Sequence, residues 1–250
     1  MEITILIENE GRASLRGEHG LSMYLRYKGH TLLLDAGETG DFAQNAALLG
    51  CPLEAVEAAV LSHGHHDHGN GFPALLRLNE QIRIFARTTA LEPRYTPRGN
   101  YSGLSDLMRG EFAHRFELSD SVREIFPGLW LVPDAVDHEQ SLVCETADGL
   151  VVLNSCCHAG ADNIVDDILA RFPGKRVRAL VGGFHLMGSG GVSTLGKEPD
   201  TVRAMARRLT EELGAELYTG HCTGEPAFAL LEEAAPDRVR AIHTGDVLVF

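Results

Sequence analysis

The stretch LSHGHHDHGNG, residues Leu61–Gly71, places four histidines and one aspartate in six consecutive positions. It follows an apolar run, and the pattern predicts a short buried strand over Ala58–His63 that leads into the histidines. Glycines within and after the cluster permit close approach of the backbone. Imidazole and carboxylate groups collected at a strand end suit zinc, iron and manganese. The motif HxHxDH therefore predicts metal ligands at His63, His65, Asp67 and His68.

Composition and net charge limit the class of protein. The chain has 250 residues, of which 44% are hydrophobic and 23% charged, as expected for a globular chain with a sizeable core. No stretch has the composition of a linker, so residues 1–250 are predicted to form a single domain. The formal net charge of -13 argues against non-specific binding to nucleic acid or to an anionic membrane, because both need a basic surface.

The N-terminal segment and the cysteines predict a cytoplasmic protein. MEITILIENE has no basic region and no cleavage site, so it predicts a first strand and not a signal peptide. No apolar run approaches the roughly 20 residues that span a bilayer. The five cysteines are odd in number and form no CxxC, which disfavours a disulfide framework.

Each half of the chain opens with predicted strands and later adds predicted helices, which indicates the α/β class. Early strands are predicted over Ile3–Glu8, Ser22–Tyr27 and Thr31–Gly37, with a hairpin at Gly29-His30. Helices are predicted over Asp41–Gly50, Asp162–Arg171, Pro199–Leu213 and Pro226–Ala235. Between the halves, residues 87–120 are irregular and rich in proline, glycine, arginine and tyrosine, which predicts a lid insert.

Several motifs resemble the metallo-β-lactamase superfamily over the whole chain. They are HxHxDH, the sequence Asp35-Ala36-Gly37 after an earlier predicted strand, and later histidines at strand ends. The resemblance implies a four-layer αββα sandwich with metal ions at one edge, between the two sheets. The shorter motifs SCCHAG, GGFHL, TGHCTG and HGLS are similar to a subfamily of metal-dependent hydrolases. That subfamily includes an archaeal dihydropterin ribofuranosyl-aminobenzene-phosphate synthase.

The later histidines are candidates for the remaining ligands. His158 follows an apolar run and precedes a glycine, and His221 resembles the last histidine ligand of the superfamily; both are predicted to bind metal. His138 is a rival to His158, because many members place their third histidine ligand one strand earlier. The superfamily's metal-bridging aspartate is missing, and Ser155–Cys157 stand in its place. Either a cysteine or His158 replaces that aspartate, or the second metal site is weaker.

Other side chains are predicted to act around the metal ions. Asp35 is expected to accept the free N–H of a ligating imidazole and so fix its tautomer. Asp67 is expected to be catalytic as well as a ligand, by orienting the nucleophile. His185 is expected to act on the substrate as an acid or oxyanion donor, with metal binding as the alternative. Histidines without such a setting are expected to be ordinary: His19, His30, His114 and His243.

The resemblance implies a hydrolase with two divalent ions, zinc first, with iron and manganese as alternatives. Metal-bound hydroxide would attack an ester, amide or phosphoester of a small molecule. In the insert, arginine side chains are expected to contact a phosphate and tyrosine rings to stack on a ring of the substrate. These substrate-binding candidates are Arg94, Tyr95, Arg98 and Tyr101. No nucleic acid and no membrane is expected as a partner, and the oligomeric state stays open.

Two alternatives remain at this point. The first is a transferase or synthase that joins a pterin diphosphate to an aromatic riboside phosphate. The second is a non-catalytic metal-binding or sensing module, which the intact HxHxDH motif disfavours but the missing bridging aspartate keeps open. Redox chemistry at two irons is disfavoured, because His65 stands where that branch of the superfamily uses glutamate. Nucleic-acid cleavage is disfavoured by the net charge of -13.

Overall fold

Two seven-stranded mixed sheets organise the chain, one in each of two units. Unit 1 contains Met1–Asp120 and His243–Phe250, and unit 2 contains Ser121–Ile242. The computed structural model describes every residue from Met1 to Phe250. None of the helices combines the length and the apolar character that crossing a bilayer requires.

The strands, in chain order, are β1 (Glu2–Ile7), β2 (Ser22–Tyr27), β3 (His30–Leu34), β4 (Ala58–Val60), β5 (Ile84–Ala86), β6 (Phe116–Leu118), β7 (Arg123–Phe126), β8 (Leu129–Pro133), β9 (Gln140–Thr146), β10 (Gly149–Leu153), β11 (Val177–Gly182), β12 (Met187–Gly188), β13 (Gly191–Leu195), β14 (Glu216–Thr219), β15 (Val239–Ala241) and β16 (Val247–Val249). The α-helices are α1 (Asp41–Leu49), α2 (His66–Gly69), α3 (Pro73–Leu78), α4 (Asp106–Arg109), α5 (Ala161–Arg171), α6 (Pro199–Arg207) and α7 (Glu225–Ala234).

The sheet of unit 1 has the order β16-β1-β2-β3-β4-β5-β6. The strands from β16 to β3 pair antiparallel, and those from β3 to β6 pair parallel. The β2–β3 hairpin turns at Lys28 and Gly29, which both have positive φ (48° and 89°). This combination is typical of a type I′ turn, whose twist matches that of the strands. The hairpin predicted at Gly29-His30 is confirmed.

The end of the chain completes the sheet of unit 1. β16 occupies the edge and pairs with β1, with Val247 opposite Thr4. Just before β16, the backbone N–H of Ile5 donates to Asp246 O at 2.9 Å. The Oγ1 of Thr244 accepts the backbone N–H of Glu8 at 2.9 Å. The sheet that carries the first strand therefore depends on residues 243–250.

The sheet of unit 2 has the order β15-β14-β11-β10-β9-β8-β7, and β12 with β13 form a separate ribbon. The neighbours β10, β11, β14 and β15 are all parallel. Because parallel strands run in the same direction, the loops after β10, β11 and β14 emerge at one edge of the sheet. Those three loops carry all the histidines predicted to function in this half, except His138.

Helices pack on each sheet through apolar side chains. In unit 1, Phe42 of α1 and Leu75 of α3 are buried in one core with strand residues such as Leu33. In unit 2, Val165 of α5 and Leu231 of α7 belong to a second core. This burial drives the folding of amphipathic helices, at roughly 25 cal/mol for each Å² of apolar surface removed from water. The predicted α/β class is confirmed in both units.

Several predicted boundaries need correction. The third strand ends at Leu34 and not at Gly37, because Asp35 has a φ of 57°, a left-handed conformation that a strand cannot contain. The helix predicted over Pro199–Leu213 changes to a π-helical turn at Arg208–Glu212, which absorbs one extra residue. The predicted insert at 87–120 is not wholly irregular, since it contains α4 and β6.

Candidate metal centre

Asp35 and His63 follow two neighbouring parallel strands of unit 1. Asp35 comes directly after β3, and His63 follows β4 after two further residues. β3 and β4 pair in parallel, with Leu34 opposite Val60. Parallel neighbours end at the same edge, so the fold delivers both side chains to one place.

A buried hydrogen-bond network orients two imidazoles of unit 1. Asp35 Oδ2 lies 2.8 Å from His68 Nδ1, and neither side chain is exposed. Ser62 donates its backbone N–H to Asp35 Oδ1 and its hydroxyl to Asp35 Oδ2, each at 2.7 Å. The same hydroxyl oxygen accepts from His63 Nδ1 at 2.8 Å. Both imidazoles therefore carry their proton on Nδ1, which leaves a lone pair on Nε2 for a metal ion.

His65 and Asp67 lie beside these two imidazoles. His65 Nδ1 is 2.9 Å from His63 Nε2. Asp67 Oδ2 is 3.6 Å from His68 Nε2. His65 is half-buried, and the other three side chains of the motif are buried. The structure thus brings the four predicted ligands of HxHxDH together in unit 1, with Asp35 in the contact that its predicted role requires.

Two further histidines of unit 1 differ in their surroundings. His19, which the sequence indicated to be ordinary, places Nε2 3.4 Å from Asp67 Oδ2. The sequence feature that points to His19 is the HGLS motif, whose first residue it is. His66 Nδ1 lies 3.3 Å from Glu38 Oε1, so its partner is a carboxylate outside the motif.

The insert passes directly over the histidine motif. Gly103 forms an isolated antiparallel bridge with His65, and the backbone N–H of His66 donates to Ser102 O at 3.0 Å. At Gly64, an added Cβ would lie 2.3 Å from Ala90 O. The glycine is required here because no side chain fits between the motif and the insert.

The four residues predicted to bind substrate belong to this insert. Arg98 is exposed, and Tyr95 and Tyr101 expose 64% and 40% of their surface. The two tyrosine rings make an edge-to-face contact at 5.5 Å. Arg94 is half-buried and donates to Thr89 O at 3.4 Å. Three of the four side chains are therefore accessible to a ligand, while Arg94 also supports the loop.

Three imidazoles cluster in unit 2. The ring of His158 lies 4.8 Å from that of His138 and 4.3 Å from that of His185, measured between centroids. The rivals His138 and His158 are thus neighbours, and the geometry does not exclude either as a ligand. His185 is exposed, and its hydrogen bond with Cys222 raises its pKa.

Glu139 holds the loop after β10 in place. It is fully buried, and its carboxylate accepts the backbone N–H groups of Cys156 at 2.7 Å and His158 at 3.0 Å. Charge-assisted bonds of this kind are about twice as strong as neutral ones. Sequence analysis missed Glu139, although it directly follows His138.

A second group in unit 2 contains sulfur. The ligand atoms of Cys156, His221 and Cys222 all lie within 4.8 Å of one another, and the three residues are buried. Burial acts to raise the pKa of the Cys222 thiol, but hydrogen bonds with Cys156 and His185 outweigh it and hold that pKa well below its usual value. Burial raises the pKa of the Cys157 thiol well above its usual value, so Cys157 stays protonated.

Backbone strain is concentrated at these clusters. Six non-glycine residues have positive φ, and four of them lie in the loops that carry the two clusters: Asp35, Cys157, His185 and His221. Such a conformation costs about 1–3 kcal/mol and persists only where the surrounding structure enforces it. The strain therefore marks these loops as functional candidates independently of their sequence motifs.

The donor chemistry of both clusters fits divalent metal ions. Imidazole nitrogens, a carboxylate and thiols are ligands that zinc and iron accept. His63 and His65 direct ring nitrogens toward each other at 2.9 Å. In unit 2, the buried Ser155 Oγ has no hydrogen-bond partner, which is uncommon unless such an atom meets a ligand.

The fold and the motif agree with one family model, described as the metallo-beta-lactamase superfamily, which matches residues 15–185. The chain belongs to this superfamily. Its fold, with two mixed sheets flanked by helices, is the metallo-β-lactamase fold that the resemblance implies, and this prediction is confirmed.

Individual relatives narrow the comparison. A 7,8-dihydropterin-6-methyl-4-(beta-D-ribofuranosyl)-aminobenzene-5'-phosphate synthase of Methanocaldococcus jannaschii is 24% identical over 93% of this chain and 90% of its own. The crystal structure of Tm1679, a metal-dependent hydrolase of the beta-lactamase superfamily, has a TM-score of 0.83 and 27% identity, and covers 100% of this chain and 99% of its own. Zn²⁺-bound PqqB from Methylobacterium extorquens shares the fold, with a TM-score of 0.63 and 16% identity over 100% of both chains. The resemblance to the synthase is confirmed.

Proposed function

We propose that the chain is a metal-dependent hydrolase that cleaves an ester, amide or phosphoester of a small molecule. The observation that carries the proposal is the buried network in which Asp35 and Ser62 hold His63 and His68 so that each Nε2 faces another predicted ligand, His65 and Asp67. A network of this kind serves a metal ion, since outer hydrogen bonds orient ligating imidazoles and raise their basicity. Two neighbouring histidines with only a structural role would not both need a fixed tautomer.

The proposed metal ligands are those that the sequence predicts. They are His63, His65, Asp67, His68, His158 and His221, with His138 as the rival of His158. We propose two divalent ions, zinc first, with iron or manganese as alternatives. When bound, such ions lower the pKa of a coordinated water and polarise a carbonyl or phosphoryl oxygen.

Two residues of the chain are proposed to take part in proton transfer. The Asp67 carboxylate is buried and lies 3.4 Å from His19 Nε2, so a proton that it accepts has a path to a more exposed group. His185 is exposed and its ring lies 4.3 Å from that of the proposed ligand His158, so it is placed to donate a proton to a leaving group. We propose these as the catalytic residues.

The insert is proposed to select the substrate. Arg98 offers an accessible guanidinium to a phosphate, and the rings of Tyr95 and Tyr101 offer apolar faces to an aromatic group. A phosphorylated, ring-bearing molecule matches this combination. The bridge between Gly103 and His65 supports the proposal, because it places the insert next to the motif.

Metal content tests the proposed site. Protein without a histidine tag is compared with His63→Ala, His158→Ala and the exposed His114→Ala as a matched control. About two equivalents of metal in the wild type, lowered by the first two substitutions and unchanged in the control, would support a dinuclear site. One equivalent that survives His158→Ala would mean that the second site is degraded, and would favour His138 as the ligand or a mononuclear mechanism. No bound metal in any protein would sink the proposal.

A synthase is the second candidate function. The similarity to the Methanocaldococcus jannaschii synthase over 93% of this chain favours it. Such a reaction would join the pterin of a pterin diphosphate to an aromatic riboside phosphate at the same metal ions, with release of pyrophosphate. The products formed with and without the riboside acceptor separate the candidates: a joined product only with the acceptor indicates a synthase, and cleavage in its absence indicates a hydrolase.

A further inference from the structure

Three donors in unit 2 form a compact group that the HxHxDH motif does not explain. The Sγ atoms of Cys156 and Cys222 and a ring nitrogen of His221 all lie within 4.8 Å of one another. The side chains are 2–5% exposed, so bulk water does not separate them. Two thiols and an imidazole constitute a recognised type of zinc ligand set, with three protein ligands and a fourth position for water or substrate.

A separate local feature of the chain positions each donor. Glu139 fixes Cys156 by accepting its N–H at 2.7 Å. His221 has a φ of 49°, which turns the chain sharply into the 3-10 turn that contains Cys222. At Gly183, an added Cβ would lie 2.5 Å from the Sγ of Cys222, so only glycine leaves space for that thiol. These features position the donors before any ion binds.

The adjacent cysteine is excluded from the group. Cys157 belongs to the hydrophobic core, and its Sγ lies 4.0 Å from Asn154 O. Cys144 is buried in β9 and belongs to no such group of donors. Unit 2 therefore separates two thiols that face other donors from two that serve packing.

The spacing needs little adjustment for an ion. Zinc binds sulfur at about 2.3 Å and nitrogen at about 2.0–2.1 Å, so donors at the corners of a tetrahedron are about 3.4–3.8 Å apart. The three donor atoms lie within 4.8 Å of one another, which is at most about 1 Å beyond this range. The nearby Ser155 Oγ, buried without a partner, adds a further polar atom to the same loop.

We infer that Cys156, His221 and Cys222 form a thiolate-rich metal site that prefers zinc or cobalt to manganese or magnesium. The inference rests on the proposed function, because it names the ligands of one of its ions. Thiolate is a soft ligand, and it selects borderline metals over hard ones. Each thiol gives up its proton as the ion binds. The two thiolates supply the negative charge that the missing bridging aspartate would otherwise provide.

Cobalt(II) reports sulfur ligands directly. Metal-free, reduced wild-type protein is titrated with Co²⁺, and the near-ultraviolet sulfur-to-cobalt charge-transfer band is compared in Cys156→Ala, Cys222→Ala and the double variant. Cys144→Ala is the matched control for loss of a buried thiol. His63→Ala tests the motif in unit 1 without touching sulfur. Circular dichroism establishes that each variant is folded.

The expected result is a charge-transfer band that falls by about half in each single cysteine variant and disappears in the double variant. Cys144→Ala and His63→Ala retain it. If cobalt binds and its spectrum shows only the visible bands typical of nitrogen and oxygen ligands, the inference is overturned and the proposed function stays intact. Absence of cobalt binding would overturn both. If the cysteine variants are unfolded, alkylation of the thiols in the wild-type protein replaces them as the test. Protection of two thiols by Zn²⁺ but not by Mn²⁺ would support the inference, and equal alkylation with and without Zn²⁺ would overturn it.

Discussion

Asp35 Oδ2 accepts a hydrogen bond from His68 Nδ1 at 2.8 Å, and neither side chain has any exposed surface. A carboxylate buried this completely persists only if its oxygens are satisfied, and Ser62 supplies two further bonds. One aspartate thus determines the tautomer of His68 directly and that of His63 through the serine hydroxyl. The strained backbone of Asp35, with a φ of 57°, is consistent with a position selected for this contact.

Asp35→Asn is expected to weaken metal binding by about 10–100-fold. An asparagine amide has only one oxygen, so it cannot accept all the hydrogen bonds that Ser62 and His68 donate to the two carboxylate oxygens. The measurement is competition with a chromophoric chelator at constant pH. Asp41→Asn, at a residue paired with Arg16 on the surface, is the matched control and should leave the affinity unchanged. Equal affinity of Asp35→Asn and wild type would show that the network does not serve a metal.

Glu139→Gln is expected to lower the free energy of unfolding by about 1–3 kcal/mol, since its amide NH₂ would face a backbone N–H. It should also weaken metal binding, because the loop that carries Cys156 and His158 loses its anchor. Urea unfolding gives the first quantity and chelator competition the second. The exposed Glu232→Gln serves for comparison. A folded Glu139→Gln protein with normal affinity would contradict the anchoring role.

Gly64→Ala is expected to destabilise the protein by about 1–3 kcal/mol, because the new Cβ overlaps Ala90 O at 2.3 Å. The substitution pushes the insert away from the motif without removing any donor. Thermal unfolding measures the loss of stability. Gly40→Ala is the control, since its Cβ would meet Ala74 Cβ at an ordinary 3.7 Å. Equal melting temperatures for the two variants would mean that the insert does not pack on Gly64.

Arg98→Ala is expected to raise KM for a phosphorylated substrate at least several-fold and to leave kcat nearly unchanged. The reason is that an exposed guanidinium that contacts only the substrate's phosphate binds the ground state and the transition state equally. Steady-state kinetics on phosphorylated and unphosphorylated forms of one substrate provide the test. Arg77→Ala, exposed on α3, controls for loss of positive charge. A fall in kcat with constant KM would place Arg98 in the chemistry instead.

Asp120 links the stability of the insert to pH. Its carboxylate accepts from Thr88 and Arg87 and so joins the two ends of the insert, and these hydrogen bonds lower its pKa. A lowered pKa in the folded state gives stability that is complete above the unfolded value of about 3.9 and is lost as pH falls through the folded value.

Asp120→Asn is therefore expected to cost about 0.2–1 kcal/mol at pH 7, a small amount because the Asp120 side chain is 43% exposed. The difference from wild type should shrink as the pH falls below 4. Thermal unfolding of both proteins across this range gives the comparison. Asp106→Asn, whose side chain is 96% exposed, should cost little throughout. A difference that stays constant with pH would exclude the ionised carboxylate as its source.

Local patterns predicted the parts of the molecule that depend on local physics. The predicted ends of α1 and α5 agree with the structure to within one residue. Apolar spacing in both helices, and Gly50 after α1, define a helix without reference to the rest of the chain. The motif from His63 to His68 was predicted for the same reason, since its candidate ligands are neighbours in sequence. The resemblance supplied the fold, which propensity alone does not determine.

Contacts between distant residues could not be predicted in this way. His19 meets Asp67 only because the loop before β2 returns to the motif. The sequence offered two adjacent cysteines, and only the folded loop shows that Cys156 faces His221 while Cys157 faces the core. The approach of Gly103 to His65 likewise depends on the path of a long insert, for which no local pattern exists.

The pairing of β16 with β1 has a consequence for synthesis on the ribosome. Unit 2 is continuous in sequence, so all of its strands have been made before residues 243–250 emerge. Unit 1 begins first but obtains its last edge strand at the very end, from residues nearly the full chain length away. Non-local pairing of this kind is slow, and until it occurs the edge of β1 is open to other chains. The half that carries HxHxDH should therefore mature last, and a nascent chain stalled before residue 243 should be more prone to aggregate than the released one.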